Sequence, residues 1–324
     1  MNEESEAIEE YEECNEYCRF LFNLRIPLFL CFLLFLFFVL RYRLHSSLMK
    51  ITQAILPVAG LGTRFLPWTK VVPKELLPLH TRPIIAYIVD ECLDAGINDI
   101  CFVINHGKES IPAYFRENAR LNEELKERGK LSLLQSLKKY RKANFHVVYQ
   151  EEMLGDGHAL LQAKSWVESP MIAVLFGDDL FVGAKSGIQQ LIDASKKVPK
   201  KECAFVATEN IPREFTNRYG IIDPDGSIVK NVRKVKGLVE KPDPSKAPST
   251  LGIVGRYLIP RSTFDVLPRV QLGKDGEIRL IDALIAQLKK LPIYAVECEG
   301  KRIDTGTPEG YLKAVGMLGI LDAE

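Results

Sequence analysis

Residues 51–67 read ITQAILPVAGLGTRFLP, an apolar run that breaks into a glycine-rich loop. The run is short, apolar on both faces and ended by Pro57, as expected of a strand covered on both sides. Gly60 and Gly62 leave its end without a Cβ, so backbone N–H groups there can approach a phosphate. Working outward, DICFVIN (99–105), NFHVVYQ (144–150), MIAVLFGD (171–178) and CAFVATE (203–209) are runs of the same kind. Amphipathic stretches separate them. The best marked has Pro83 in its first turn, Ile84, Ile85, Ile88, Cys92 and Leu93 on one side, and Gly96 as a stop. The charged stretch 108–140 reads as two exposed helices, a further helix starts near Gly157, and another spans about 186–197. This alternation predicts an open, doubly wound, mostly parallel α/β sheet of Rossmann-like form, with ligands outside the carboxyl ends of its strands.

The pattern changes after Glu209. Residues 218–234 read as a hairpin around Asp225-Gly226, and GIVGRYLI (252–259) as an isolated strand. A helix at about 280–290, the strand PIYAVEC (292–298), a polar turn GKRIDTGTPEG (300–310) and a last helix complete the chain. The expectation is one α/β body over residues 49–324 with a small β-rich annex across its active edge.

Lys and Arg number 43 against 42 Asp and Glu, which leaves no basic excess for holding a nucleic acid. The charge is unevenly spread: residues 1–48 hold eight acidic and four basic residues, so the remainder carries +5, a surplus suited to phosphorylated substrates. In that extension an acidic tract precedes Ile26–Leu40, 15 residues without a charge. As a helix this run spans about 22 Å, short of the roughly 30 Å of a bilayer core. Arg41 and Arg43 follow it, which would keep its C-terminal side in the cytoplasm. Met49 stands immediately before the first strand. Residues 1–48 are therefore read either as a membrane anchor or as an upstream extension of the reading frame, and both readings put residues 49–324 in the cytoplasm. None of the seven cysteines forms C-x-x-C or a zinc-type spacing, and those of the body sit among apolar residues as buried thiols would.

The loop needs a closer reading. A dinucleotide fingerprint starting at Gly60 would require glycine at 65, where Phe65 stands, and no Walker A sequence occurs. The loop continues instead to Pro73-Lys74-Glu75-Leu76-Leu77-Pro78. Arg64 and Lys74, ten apart on one loop, suit a triphosphate that must be gripped as a polyanion. Gly-Leu-Gly-Thr-Arg followed by Pro-Lys-Glu-Leu-Leu-Pro resembles the signature of the sugar-phosphate nucleotidyltransferases, and with Pro-Val-Ala-Gly before it is similar to the bacterial-type branch acting on UTP and glucose 1-phosphate. The resemblance runs over nearly all of 49–324. It implies that Ala59, Gly60, Gly62 and Thr63 bind nucleotide, that Arg64 holds the triphosphate and leaving group, and that Lys74 holds the α-phosphate.

Further matches follow in order. Gln150 and Gly155 in QEEMLGDGHA would contact the base, and Gln150 can offer a donor and an acceptor to a uracil edge. His158, without a partner at ligand spacing, reads as structural. Asp178 ends a strongly apolar strand, and a carboxylate there favours a cation. The resemblance makes Asp178 and Asp304, 126 positions apart, the ligands of Mg²⁺. It also makes Gly220, Glu240, Val254 and Gly255 the sugar-binding set of the annex, with Lys241 on the sugar phosphate. Arg279 and Ile281 stand where the family commonly carries Gln and Thr. The implied reaction is in-line attack of glucose 1-phosphate on the α-phosphorus of UTP, giving UDP-glucose and pyrophosphate in a homo-oligomeric enzyme, a dimer or tetramer. The rivals are a dTTP- or CTP-using relative, a non-catalytic sugar-nucleotide binder, and an NAD-dependent oxidoreductase, which the missing third glycine disfavours.

Overall fold

β1 (Gln53–Pro57) sends Ala54 and Leu56 to one apolar core and Ile55 to another on the opposite face. β4 (Asp99–Ile104) repeats the division, with Ile100, Phe102 and Ile104 on the first side and Cys101 and Val103 on the second. Each fully buried Val, Leu, Ile or Phe side chain among them contributes about 1.5–3 kcal/mol. The computed structural model describes residues 51–321 apart from 199–201, 230 and 274. The acidic tract and the apolar run 26–40 lie outside the described residues. Among those described, no helix is long and apolar enough to cross a membrane.

The remaining strands are β2 (Pro78–Leu79), β3 (Arg82–Pro83), β5 (Asn144–Tyr149), β6 (Met171–Leu175), β7 (Asp179–Val182), β8 (Ala204–Asn210), β9 (Gly220–Val229), β10 (Val232–Glu240), β11 (Leu251–Pro260), β12 (Ile293–Glu297) and β13 (Lys301–Asp304). The helices are α1 (Ile84–Asp94), α2 (Ser110–Phe115), α3 (Ala119–Glu127), α4 (Asp156–Gln162), α5 (Gly187–Ser195), α6 (Thr263–Val266), α7 (Leu280–Gln287) and α8 (Pro308–Leu321). α1 and α5 pack on the first core; α4, α6 and α7 pack on the second. The charged stretch after Lys108 forms α2, α3 and a 3₁₀ run, Leu131–Lys142.

The sheet is not the open doubly wound one expected. Its order is β5-β4-β1-β6-β11-β8-β12-β10-β9, and β9 pairs again with β11 at Gly252↔Ile221. Strands β11, β8, β12, β10 and β9 thus close into a five-stranded mixed barrel. The parallel strands β5, β4, β1 and β6 extend from it, joined by the antiparallel β6–β11 pairing. GIVGRYLI is therefore no isolated strand, and the β9–β10 hairpin is part of the main sheet rather than a separate annex. Closure depends on β11, whose ten residues are all buried and whose register with β8 shifts between Ile253 and Tyr257. A bend of that kind lets one strand serve both the extended sheet and the barrel.

The hairpin tip also differs from expectation. Val229 faces Val232, while Asp225 and Ser227 face Lys234 and Arg233, leaving Gly226 as an extra residue at φ +65°. Asp225-Gly226 is a bulge within β9, not its turn.

Candidate active site

The glycine-rich loop is held from behind. Thr69 Oγ1 donates to Gly62 O at 2.8 Å, and Asn105 donates to Ala59 O. Gly62 has φ +67°, and a Cβ there would come within 3.1 Å of Thr69. Gly60 and Thr63 remain exposed. Further along, Glu75 is buried and receives Lys108 Nζ at 2.9 and 3.0 Å, while Lys108 also donates to Val58 O. This buried pair fixes the turn on which the preceding residue, Lys74, points away to Asp178, with Nζ 2.6 Å from Oδ2.

Asp178 and Asp304 are joined through β7 and β13, whose antiparallel register sets Asp304 opposite Asp179. Thr305 donates twice to Asp178 O, from its N–H and its hydroxyl, each at 2.7 Å. Gly306 lies between the carboxylates: a Cβ there would stand 2.9 Å from Asp178 Oδ2 and 3.0 Å from Asp304 Oδ1. The two oxygens are consequently within about 6 Å of each other. Arg64 Nη1 donates to Gly306 O at 3.2 Å, so Arg64, Asp178 and Asp304 meet at one residue, with Lys74 bound to Asp178. Burial would raise the Asp178 carboxyl, but the Lys74 ammonium outweighs it and holds Asp178 below the usual carboxylate range. Burial likewise opposes the Lys74 charge, and Asp178 and Glu75 more than restore it.

Asp179 is committed elsewhere. Its carboxylate takes Arg302 at 2.6 Å and the Gly255 N–H at 3.0 Å, and burial raises its pKa despite Arg302. Under it lies Arg256, fully buried, bound to Glu91 at 2.8 Å and donating to Asp179 O at 2.6 Å and Phe176 O at 3.3 Å. Glu91 in turn accepts Ile188 N at 2.8 Å, which ties α1, α5 and β11 to the 176–179 turn.

Gln150 is buried, its Nε2 donating to Gly155 O at 3.0 Å and lying 3.1 Å from His158 Nδ1. Gly155 has φ +94°, and Ile278 O stands 2.6 Å from where its Cβ would be. Segment 277–280 is laced to this loop: Gly157 N donates to Ile278 O, Ile278 N to Leu154 O, and Leu280 N to Asp156 Oδ1. The next residue, Ile281, reaches Gly220, whose Cβ would be 2.2 Å from Ile281 Cδ1 and 3.2 Å from Glu240 Oε2. Lys241 pairs with Glu240 at 3.2 Å in a left-handed backbone conformation, φ +46°, with its N–H on Tyr219 O. Gly255 packs against the 176–179 turn, and the Val254 side chain is in the core, leaving only its backbone for a ligand.

A cavity of about 660 Å³ is lined by Arg64, Arg218, Lys241, Lys301, Arg302, Asp304 and Lys313 among others. Among the described residues no group of three or more His, Cys, Asp or Glu clusters as a metal site. The two carboxylates flanking Gly306 are nonetheless an all-oxygen pair, the donor chemistry that would suit a hard divalent ion.

The family follows from a model for nucleotidyl transferases, which matches residues 53–318. This chain belongs to the nucleotidyl transferase family. It is 40% identical over 276 residues to the UTP–glucose-1-phosphate uridylyltransferase YngB of Bacillus subtilis, covering 85% of this chain and 92% of that one. Similarity to UTP–glucose-1-phosphate uridylyltransferase 1 of Staphylococcus saprophyticus is also 40%, over 85% and 94%. Among solved structures, an apo UDP-glucose pyrophosphorylase superposes with a TM-score of 0.79 at 34% identity, over 84% of this chain and all of that one. A UTP-bound enzyme from Acinetobacter baumannii gives 0.77 at 35%, over 84% and 94%.

Sequence reading missed Glu75, Lys108, Glu91 and Arg256, and gave Arg302 no role. The signal was available: Glu91 sits on the apolar side of α1 and Arg256 inside a strand buried on both faces, where a charge requires a partner.

Proposed function

We propose that the chain transfers a uridylyl group from UTP to glucose 1-phosphate, releasing pyrophosphate and forming UDP-glucose. The observation that carries this reading is the meeting of Arg64, Asp178 and Asp304 at Gly306, with Lys74 bound to Asp178, beside a cavity that Lys241 also lines. Nucleophile and target are both anions, so catalysis is positioning and charge neutralisation. The sugar phosphate is already ionised at neutral pH and needs no general base. Lys241 steers that phosphate, with Glu240 and the Gly220 backbone on the hexose hydroxyls. Gln150 and the Gly155 loop take the base, and the N–H groups from Ala59 to Thr63 take the phosphates. Lys74 neutralises the α-phosphate, and Arg64 the leaving group. Asp178 and Asp304 would hold Mg²⁺, which supplies charge neutralisation at the phosphates when bound. Lys74 holds Asp178 ionised and in place for that role. The four free cysteines of the body, three of them buried, suit a reducing compartment, and we place the catalytic body in the cytoplasm.

The test is pyrophosphate release across a matrix of nucleoside triphosphates and hexose 1-phosphates. UTP with glucose 1-phosphate is expected to lead, and dTTP to follow by about 10- to 200-fold, the value of one methyl. Lys74→Ala and Asp178→Ala should each lose about 10²- to 10³-fold in kcat with folding intact. Near-normal turnover in either variant removes that residue from the mechanism.

A further inference from the structure

We propose that the 660 Å³ cavity includes a separate station for pyrophosphate, built by Arg218, Lys301 and Lys313 and occupied after the leaving group has passed Arg64. This rests on the uridylyl-transfer reading above. Three separate elements supply the cations: the turn before β9, strand β13 and helix α8. Among the described residues, no carboxylate pairs with any of the three, although most other cations near the site are engaged. Arg302 is held by Asp179, Lys241 by Glu240, and Lys74 by Asp178. Arg218 is an exposed residue whose guanidinium lies over the Phe215 ring, 4.7 Å from its centroid. Among the described residues, Asp304 is the single acid lining the cavity. Thr307 and Gly310 bring the first turn of the 14-residue α8 to the same wall, where Glu309 offsets part of the positive end of the helix dipole. Unpaired cations lining one cavity from three elements give it a positive field that favours a polyanion, and pyrophosphate is the polyanion this reaction generates next to Arg64.

The experiment measures the reaction in both directions, with calorimetry of inorganic pyrophosphate binding to the nucleotide-free enzyme. Lys313→Ala and Lys301→Ala are expected to raise the KM for pyrophosphate about tenfold each, the worth of one charge-assisted contact, and to weaken product inhibition by pyrophosphate equally. KM values for UTP and glucose 1-phosphate should move less than twofold, and Lys313→Arg should restore pyrophosphate binding. An unchanged pyrophosphate KM overturns the proposal, as does an equal rise in the UTP KM, which would make these lysines ground-state triphosphate contacts. If the wild type does not turn over UTP, the uridylyl-transfer reading fails first, and calorimetry alone then decides the station.

Discussion

Gly306 shows how much of the chemistry rests on one missing side chain. Both carboxylates stand about 3 Å from its absent Cβ, and its carbonyl accepts Arg64. Gly306→Ala should therefore push the carboxylates apart and lower kcat by about 10²-fold, since misplacement of about 1 Å at a reacting centre costs that much. Thermal unfolding is expected to change little, and a large drop in Tm would instead assign the glycine to packing. Asp156 makes a different single-residue point. Burial, with Glu240 and Glu277 nearby, raises its carboxyl to about 6, against the lowering effect of the Leu280 N–H. The folded state then binds the proton more tightly than the unfolded chain. The contribution is full at pH below the ordinary carboxylate value and is lost as pH rises through about 6. Asp156→Asn, which keeps an oxygen for Leu280, should remove that slope and stabilise the protein at pH 8 by about 1 kcal/mol, discounted because the residue keeps some solvent contact. Urea unfolding at pH 5 and pH 8 measures both values. The residues legible in sequence were those in linear signatures, Arg64 and Lys74 above all. Their supports were not, because Glu75 meets Lys108 and Glu91 meets Arg256 across 33 and 165 positions, distances over which no spacing rule acts.

At the scale of elements, the 176–179 turn carries Asp178 yet is shaped from below. Arg256 binds the carbonyls of Phe176 and Asp179 while Glu91 neutralises it, so α1, α5 and β11 together fix the height of the turn. Arg256→Met leaves Glu91 as an unpaired buried charge, a change that typically costs about 3–5 kcal/mol. The double variant Glu91→Leu/Arg256→Met should recover much of that stability, since paired replacement of a buried ion pair is often neutral. It should not recover kcat, because the carbonyls of the turn would still lack their donor. Parallel recovery of both quantities would show that Arg256 serves stability alone. Strand and helix positions in the first half of the chain were readable because two-sided apolar runs alternate with one-sided amphipathic ones. The tip of the β9–β10 hairpin was misread because Asp-Gly serves a bulge as well as a turn: the left-handed φ of Gly226 satisfies either.

Across the whole molecule, the closed barrel was invisible to pattern reading for a related reason. A strand buried on both faces has the same composition whether it runs parallel or antiparallel to its neighbours, so β11 read as an isolated strand rather than the piece that links the parallel extension to the ring. Closure has a functional consequence, because it ties the Gly220–Glu240 hairpin rigidly to the strands behind Asp178 instead of leaving it as a hinged annex. All of the residues assigned here to nucleotide, sugar and metal lie within residues 59–304, inside the segment matched by the family model. Their supporting pairs, Glu75–Lys108, Glu91–Arg256 and Asp179–Arg302, lie there as well. A chain started at Met49 should therefore fold and keep kcat/KM for UTP and glucose 1-phosphate within about twofold of the full-length protein, a difference of less than about 0.5 kcal/mol in transition-state binding. Pyrophosphate release from the two proteins side by side gives the comparison. A loss of tenfold or more in the shorter chain would mean that residues 1–48 contribute to the site, and that the acidic and apolar extension is part of the working enzyme.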